Sequence, residues 1–310
     1  MKPICSKYLL VLLLAGILYL PACYLDDTSV SSGLPLPYST VAQLFDSTAT
    51  NQQFLSIDAE QSNDLRTPAG ARLQLEAYSF VNANGEAVSG QVEIGLREVY
   101  QGEKMLLNDL SSSPTDELWE SAGIFQIEAQ QNGASLQLDK EAVLFLPTES
   151  FVQAQSGMRL AKGQAGNGSP RVSWQEAGTG SVALEMGQGY KVTFDQLGWF
   201  NGYYQSNASN SRFTLEVLPE DGFGTAVVDR RAFLLSSNSN VMVPLTSAGD
   251  KFTLNDLPAG FEGIVVVIGM TRNELLLGTR EISIDQDLVV ELDLAVTMED
   301  DLIRQINELK

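Results

Sequence analysis

Gln91-Val92-Glu93-Ile94-Gly95-Leu96 and Ile124-Phe125-Gln126-Ile127-Glu128-Ala129 alternate apolar and polar side chains one by one. A strand turns successive side chains to opposite faces, so a period of two marks a strand with one face on a core and one toward water. Arg72-Leu73-Gln74-Leu75-Glu76-Ala77 repeats the pattern. Asn84-Gly85 and Asn132-Gly133 stand between such runs and suit the positive φ that hairpin turns require. Ala142-Val143-Leu144-Phe145-Leu146 is apolar throughout, which predicts a strand buried on both faces and ended by Pro147.

Outward from these runs, short strand patterns fill the chain from about Gln52 to Val296. The stretch from Phe151 to Gly189 differs, being rich in Gly, Ser, Gln and Ala; it reads as loop around strands at Val172 to Trp174 and Val182 to Glu185. A second block follows, at Phe213 to Val217, Thr225 to Asp229, Ala232 to Leu235, Val241 to Leu245, Lys251 to Leu254, Gly263 to Met270, Glu274 to Leu277 and Leu288 to Leu294. The expected fold class is all-β: tandem β-sandwiches, an N-terminal one over residues 51–190 and a C-terminal one over 191–310. One helix is expected, at the C-terminus. Thr297 would cap it, Met298, Leu302, Ile303, Ile306 and Leu309 would form its apolar face, and acids in the first turn with Arg304 and Lys310 later suit the helix dipole.

The first 22 residues have the parts of a secretory signal. Lys2 and Lys7 are positive, no acid precedes Asp26, and an apolar run from Tyr8 to Leu20 is broken only by Gly16. That run is short for a bilayer core of about 30 Å. It ends Leu20-Pro21-Ala22-Cys23, which resembles a lipobox: an aliphatic residue three before the cysteine and a small one just before it. The resemblance implies cleavage before Cys23, lipid on its thiol and a membrane partner through that lipid. Cysteine count agrees, because Cys5 leaves with the signal and Cys23 remains as a lone exported thiol. Each buried lipid methylene contributes about 0.8 kcal/mol, and two or more chains hold a protein stably. The plain alternative is an ordinary signal that happens to carry a cysteine. Residues 23–50 read as a flexible tether, Ser, Thr, Gly and Pro-rich to about Thr40. The residue after the cysteine is not Asp, the retention signal of enteric inner membranes, so the expected address is the outer membrane. Asp26 and Asp27 resemble the surface-export signals of Bacteroidota lipoproteins, and equally suit a solvated linker.

Composition narrows the chemistry. Without the signal, 17 basic residues face 39 acidic ones, a net charge of −22, so nucleic acid is not an expected partner. The chain contains no histidine. That removes histidine general bases, Ser-His-Asp and Cys-His arrangements, and histidine-ligated metal sites. Paired carboxylates, Ser-Lys pairs and oxygen-ligated metals survive as routes, but 39 acids locate no pair, and no Asp-x-Asp-x-Asp-Gly loop is present. No cofactor is expected.

Two resemblances add architecture. Gly70-Ala71-Arg72-Leu73-Gln74-Leu75, Asn84-Gly85, Val88-Ser89-Gly90-Gln91-Val92-Glu93-Ile94, Glu98-Val99-Tyr100, Met105-Leu106-Leu107 and Glu120-Ser121-Ala122-Gly123-Ile124-Phe125 follow in an order similar to ZU5-type sandwiches of Bacteroidota surface proteins. Some of those cleave themselves at a His-Phe-Ser site, which this chain lacks. Leu197-Gly198-Trp199-Phe200-Asn201-Gly202 resembles a segment that often follows such a domain. Phe252-Thr253-Leu254-Asn255-Asp256-Leu257-Pro258-Ala259-Gly260 resembles the strand-to-turn signature of carboxypeptidase-regulatory, transthyretin-like sandwiches. These families imply scaffolding, adhesion or ligand presentation rather than a defined reaction.

One candidate site follows. Trp199, Phe200, Tyr203 and Tyr204 flank Asn201 and precede the small polar run Ser206 to Ser211. Exposed rings stack on sugar faces while amides bond hydroxyls, which motivates glycan binding by Trp199, Asn201, Tyr203 and Tyr204. The competing reading buries Trp199 and Phe200 between the two sandwiches, as large rings usually are. Trp119 and Trp174 read as core. Asn207-Ala208-Ser209 matches a glycosylation sequon that a bacterial lipoprotein would not use. The expected protein is therefore a non-enzymatic, surface-facing envelope lipoprotein that binds or presents a ligand. The alternatives are a structural subunit of an envelope assembly and a carboxylate-based enzyme acting on glycans.

Overall fold

The computed structural model describes residues 35–114, 117–147, 156–166, 171–185, 189–205, 211–220 and 226–309. The signal, Cys23 and the first part of the tether lie outside these residues, as do the sequon and most of the run after Tyr204. Residues Pro35–Lys310 form one unit, and it is built from two β-sandwiches, as the alternation predicts.

The first sandwich stacks two antiparallel sheets. One runs, in spatial order, Gln53–Asp58, Gln91–Val99, Trp119–Gln131, Gly198–Gln205, Arg159–Ala165 and Val172–Glu176. The other runs Ser181–Glu185, Gly189–Phe194, Ala142–Leu146, Arg72–Leu75 and Asn63–Arg66. Between them lies a core that includes Leu73, Ile94, Leu96, Phe125, Ile127, Leu144, Val192, Phe194 and Phe200. The alternating residues of Gln91–Val99 and Trp119–Gln131 thus point where their period says. Ala142–Leu146 corrects an expectation. Ala142, Leu144 and Leu146 are buried, whereas Val143 and Phe145 are only half-buried, and Arg72 covers the Phe145 ring at 5.6 Å. At Asn132-Gly133 both residues take positive φ, 52° and 79°, and the turn joins Trp119–Gln131 to Ala134–Ser135.

The second sandwich stacks Met242–Pro244, Asp229–Ser236, Phe261–Met270, Leu275–Ile284 and Ala295–Thr297 on Thr246–Ala248, Lys251–Pro258, Arg212–Glu220 and Leu288–Asp293. All pairings are antiparallel except Arg212–Glu220 with Leu288–Asp293, which is parallel. Leu215, Val217, Leu234, Phe252, Leu254, Val265, Val267 and Val290 fill this core. Of the strand expected at Thr225 to Asp229, Thr225 lies outside the described residues, and a strand begins at Asp229 after residues 226–228.

The boundary also moves. Gly189–Phe194 pairs with Ala142–Leu146, and Gly198–Gln205 pairs with both Trp119–Gln131 and Arg159–Ala165. The first sandwich therefore runs past residue 190 to Gln205. Among its described residues, the stretch read as mostly loop holds three strands, one of them, Arg159–Ala165, not foreseen.

A third core joins the sandwiches. Sheet faces contribute Ile124, Trp174, Trp199 and Tyr203 from the first sandwich and Phe233, Leu235, Val266, Ile268 and Leu277 from the second. Phe261–Met270 is consequently buried on both faces: Ile264, Val266 and Ile268 join this layer, Val265 and Val267 the inner core. Among the described residues, three helices line the seam: α1 (Val41–Thr48), α2 (Gly102–Leu107) and α3 (Glu299–Asn307). α1 corrects the tether. Thr40 caps it by accepting from the Gln43 amide at 3.3 Å. Val41, Leu44 and Phe45, at helical spacing, are fully buried. Eight residues are too few to hold a helix alone, so packing holds it: Phe45 meets the edge of Phe233 at 5.7 Å, and the Val41 amide donates to Asp229 at 2.8 Å. The tether therefore ends before Tyr38, which is buried, and not at residue 50.

α3 is the expected C-terminal helix. Leu302 and Ile306 are buried in the seam, with acids Glu299, Asp300 and Asp301 in its first turn and Arg304 in its last. Two details differ. Thr297 ends a strand and does not cap the helix, and Met298 is 74% exposed.

Candidate functional site

The aromatic cluster is wall, not platform. On Gly198–Gln205, residues 199, 201 and 203 face the seam and residue 200 the first core. Trp199 is 8%, Tyr203 1% and Asn201 0% exposed. Tyr203 lies against Trp119, and Arg97 and Arg159 sit over the Trp199 and Tyr203 rings at 5.7 and 4.9 Å. Trp174 also packs in the seam, its indole donating to the Ser111 carbonyl at 2.6 Å. The reading that buries Trp199 between the sandwiches is correct. Phe200 instead fills the first sandwich, against Phe125 and Phe194.

Asn201 is a structural bridge. Its Nδ2 donates to the Ser112 carbonyl at 2.7 Å, and its Oδ1 accepts from Ser121 Oγ at 2.7 Å. Ser112 in turn exchanges hydrogen bonds with Met242 of the second sandwich: the Ser112 amide to the Met242 carbonyl at 2.8 Å, the Met242 amide to Ser112 Oγ at 3.0 Å. The Ser121 amide donates to Asn240 at 3.0 Å. This relay satisfies buried polar groups that an all-apolar seam would leave unpaired.

Of the expected ligand residues, Tyr204 lines a cavity. A cleft of about 440 Å³ opens where the two sandwiches meet. The first sandwich supplies Glu117, Leu118, Glu120, Tyr204 and Gln205. The second supplies Arg212, the Ser236–Val241 hairpin, and the turn through Asp256, Pro258, Gly260, Phe261 and Glu262. A bulge on Lys251–Pro258 sets Asn255 and Asp256 opposite Thr214, and Asp256 takes φ 60°.

Several polar groups in the cleft are already engaged. Glu117 accepts from the Trp119 indole at 2.6 Å and from Gln205 at 3.1 Å; Arg212 donates to the Asp256 carbonyl at 3.3 Å; Asn238 donates to Glu262 at 3.0 Å. Glu120 is different. Loss of solvent pushes its carboxyl above the ordinary glutamate value. The cleft thus offers one tyrosine and one phenylalanine, amides, four carboxylic side chains and one guanidinium. None of the four acids was singled out in the sequence. They form two pairs far apart in the chain, Glu117 with Glu120 and Asp256 with Glu262, and nothing local distinguishes them among 39.

A second perturbed carboxyl lies at the end of the first core. Glu98 is buried, accepts from the Tyr100 hydroxyl and leaves Oε2 without a hydrogen-bond partner. Burial pushes the Glu98 carboxyl up, against the opposing effect of Tyr100 and Thr67, and pushes the Tyr100 phenol up as well. Among the described residues, no three acidic or thiol side chains converge to hold a metal, and no helix is long and apolar enough to cross a membrane.

No family model and no curated protein matches the chain. Among solved structures, similarity at 13% identity and a TM-score of 0.19 extends over 79% of this chain and 41% of the Bacillus anthracis TIE protein. The chain thus spans less than half the length of that protein, and a likeness this low supports neither fold nor function.

Proposed function

We propose that the chain is a lipid-anchored, non-enzymatic protein of the bacterial envelope, outer-membrane and surface-facing, that presents a ligand-binding cleft at the seam of two fused β-sandwiches. The cleft at Glu120, Tyr204, Arg212 and Glu262 carries the reading, because it is concave, combines apolar ring surface with convergent polar groups, and draws on both sandwiches. Rings beside amides and carboxylates are the composition that grips sugar hydroxyls, so a neutral or amino-sugar glycan is the ligand class. The lipobox at Cys23 and the ZU5-like and transthyretin-like resemblances support the address and the presenting role.

The test has two arms. Cys23→Ala should move the protein from the membrane to the soluble fraction, and protease shaving of intact cells should remove the wild type while sparing a periplasmic control. On a glycan array, retention should fall with Tyr204→Ala. Equal retention by the variant overturns the cleft, and protection of the protein in intact cells overturns the surface address.

The four acidic side chains favour one second reading, a carboxylate-based enzyme acting on glycans. A desolvated Glu120 would hold the proton that a general acid delivers. Hydrolysis of an array glycan by the wild type, abolished in Glu120→Gln, would replace binding with catalysis.

A further inference from the structure

We propose that the outer face of the first sheet around Phe54 is a second ligand surface, a flat platform for a neutral glycan. The platform is separate from the cleft and does not depend on it.

Register lays the platform out. On Gln91–Val99, Val92, Ile94 and Leu96 face the first core, so Glu93, Gly95 and Arg97 face the other way. Their cross-strand partners share that face. Ser56, Glu93 and Gln130 form one row, Phe54, Gly95 and Glu128 the next, and Arg97, Gln126 and Trp199 a third. The third row ends in the seam at Trp199, whereas Phe54, Ser56, Glu93 and Glu128 in the first two rows are exposed.

Phe54 is the most exposed aromatic side chain among the described residues, at 58%. One exposed apolar residue is ordinary; the surroundings of this ring are not. Its partner across the strands is a glycine, and the space that a Cβ would take there is crossed by the Gln52 side chain. The ring therefore borders a depression of about 500 Å³ that passes over Gly95 to Ile127, Ser135 and Gly198. Gln52 Nε2 donates to Glu128 Oε2 at 3.0 Å, Gln126 donates to the other oxygen of Glu128, and Gln130 donates to Glu93. These bonds hold three amides and two carboxylates in place beside the ring. An amide has two N–H donors and an acceptor oxygen, and a carboxylate has about four acceptor sites, so each retains capacity for hydroxyls.

Chemistry selects the occupant. A sugar turns a face of C–H groups to a ring and a rim of hydroxyls, each donor and acceptor, to amides and carboxylates. Glu93 and Glu128 outweigh the guanidinium of Arg97, which lies over the Trp199 ring at 5.7 Å. Uronic acids and sulfated sugars meet like charge here, and a neutral glycan is the class that fits. A protein strand would add at the sheet edge, where backbone groups are free, and not on this face of side chains. The cleft is elsewhere: Glu120 lies eight residues before Glu128 on Trp119–Gln131, about 25 Å away at the rise of a strand.

The test is native affinity electrophoresis of the full-length chain in detergent, in gels holding galactomannan, xyloglucan or dextran, with polygalacturonate as the anionic control. Wild type should be retarded by at least one neutral polysaccharide and not by polygalacturonate. Phe54→Ala should weaken the apparent affinity by about tenfold or more, the loss of one ring buried on binding, and Phe54→Trp should keep it. Tyr204→Ala, in the cleft, should leave the Phe54-dependent retardation in place. Equal retardation of wild type and Phe54→Ala overturns the platform, as does no retardation by any neutral polysaccharide or a stronger one by polygalacturonate. Retardation lost in Tyr204→Ala but kept in Phe54→Ala assigns binding to the cleft alone and also overturns it. Self-association of the wild type, lost in Phe54→Ala without any retardation, would give this face to a second copy instead. If Phe54→Ala does not fold, unchanged affinity in both Gln52→Ala and Gln130→Ala overturns the platform.

Discussion

Tyr203 stacks on Trp119 with ring centroids 3.7 Å apart and planes 15° from parallel. The two side chains come from neighbouring strands of one sheet and together wall the seam, so their contact belongs to folding before ligand recognition. Tyr203→Ala should therefore lower stability by about 3–5 kcal/mol in chemical denaturation, the range for emptying a buried aromatic site. Tyr203→Phe should retain most of that stability and leave any glycan retention unchanged. A Tyr203→Ala variant as stable as wild type would remove the ring from the seam.

Asn201 is the polar counterpart. Replacing it with alanine strands the Ser112 carbonyl and the Ser121 hydroxyl in a buried layer. Each group left without its partner costs about 1–3 kcal/mol, so Asn201→Ala should be destabilised by about 2–4 kcal/mol. Ser121→Ala should cost less, and the double variant less than the sum, because the two share a hydrogen bond. A strictly additive double-mutant cycle would argue against the relay.

The strands were legible because their signal is local. The period-two runs at Gln91–Leu96 and Ile124–Ala129 became strands, inside longer ones whose second face, at Val99, Trp119 and Ile124, is buried in the seam, and the acids and Arg304 announced α3. What stayed hidden depended on distant partners. α1 carries its signal in Thr40, Val41, Leu44 and Phe45, yet eight residues beside a Ser- and Pro-rich stretch read as linker until Phe233 is placed against them. Arg159–Ala165 resembles loop because Gly163 and Ala161 are small, and at Gly163 the space is taken by Val172, Trp174 and Trp199. The domain boundary was misplaced for the same reason. Composition marks where the chain looks loose, whereas pairing decides which sandwich a strand joins. The aromatic run could be read as surface or seam from sequence, and only the inter-sheet packing separates the two. The acidic cleft had no sequence signal at all.

Gly163 tests that account. A Cβ there would lie 2.4 Å from Val172 Cγ1 and 2.7 Å from both Trp174 Cζ3 and Trp199 Cβ. Such overpacking costs about 1–3 kcal/mol, so Gly163→Ala should lower Tm and perturb tryptophan fluorescence together. Gly85→Ala, where the new Cβ meets nothing within 4 Å, should change stability through its positive φ alone and leave the fluorescence intact.

Glu98 predicts a pH dependence. Its folded-state carboxyl titrates above the ordinary value of 4.5, so the folded protein holds that proton more tightly than the unfolded chain. The associated stability is complete below about pH 4.5 and declines as pH rises through the raised value. Glu98→Gln should flatten this decline and gain stability relative to wild type at neutral pH. Urea midpoints measured between pH 4 and 8 give the comparison; a parallel offset between the two proteins across that range would locate the pH dependence elsewhere.

The chain enters the two-sandwich unit through α1, which is buried in the seam and belongs to neither sandwich. Tension applied ahead of Pro35 therefore arrives first at Tyr38, which is buried in the seam and donates to Glu299, and then at Val41 and Phe45, the points that grip Asp229 and Phe233. Under pulling, this short helix is the mechanical fuse: its extraction opens the joint while each sandwich keeps its own core. An anchored protein built this way would respond to shear by hinging at its middle before either half unravels.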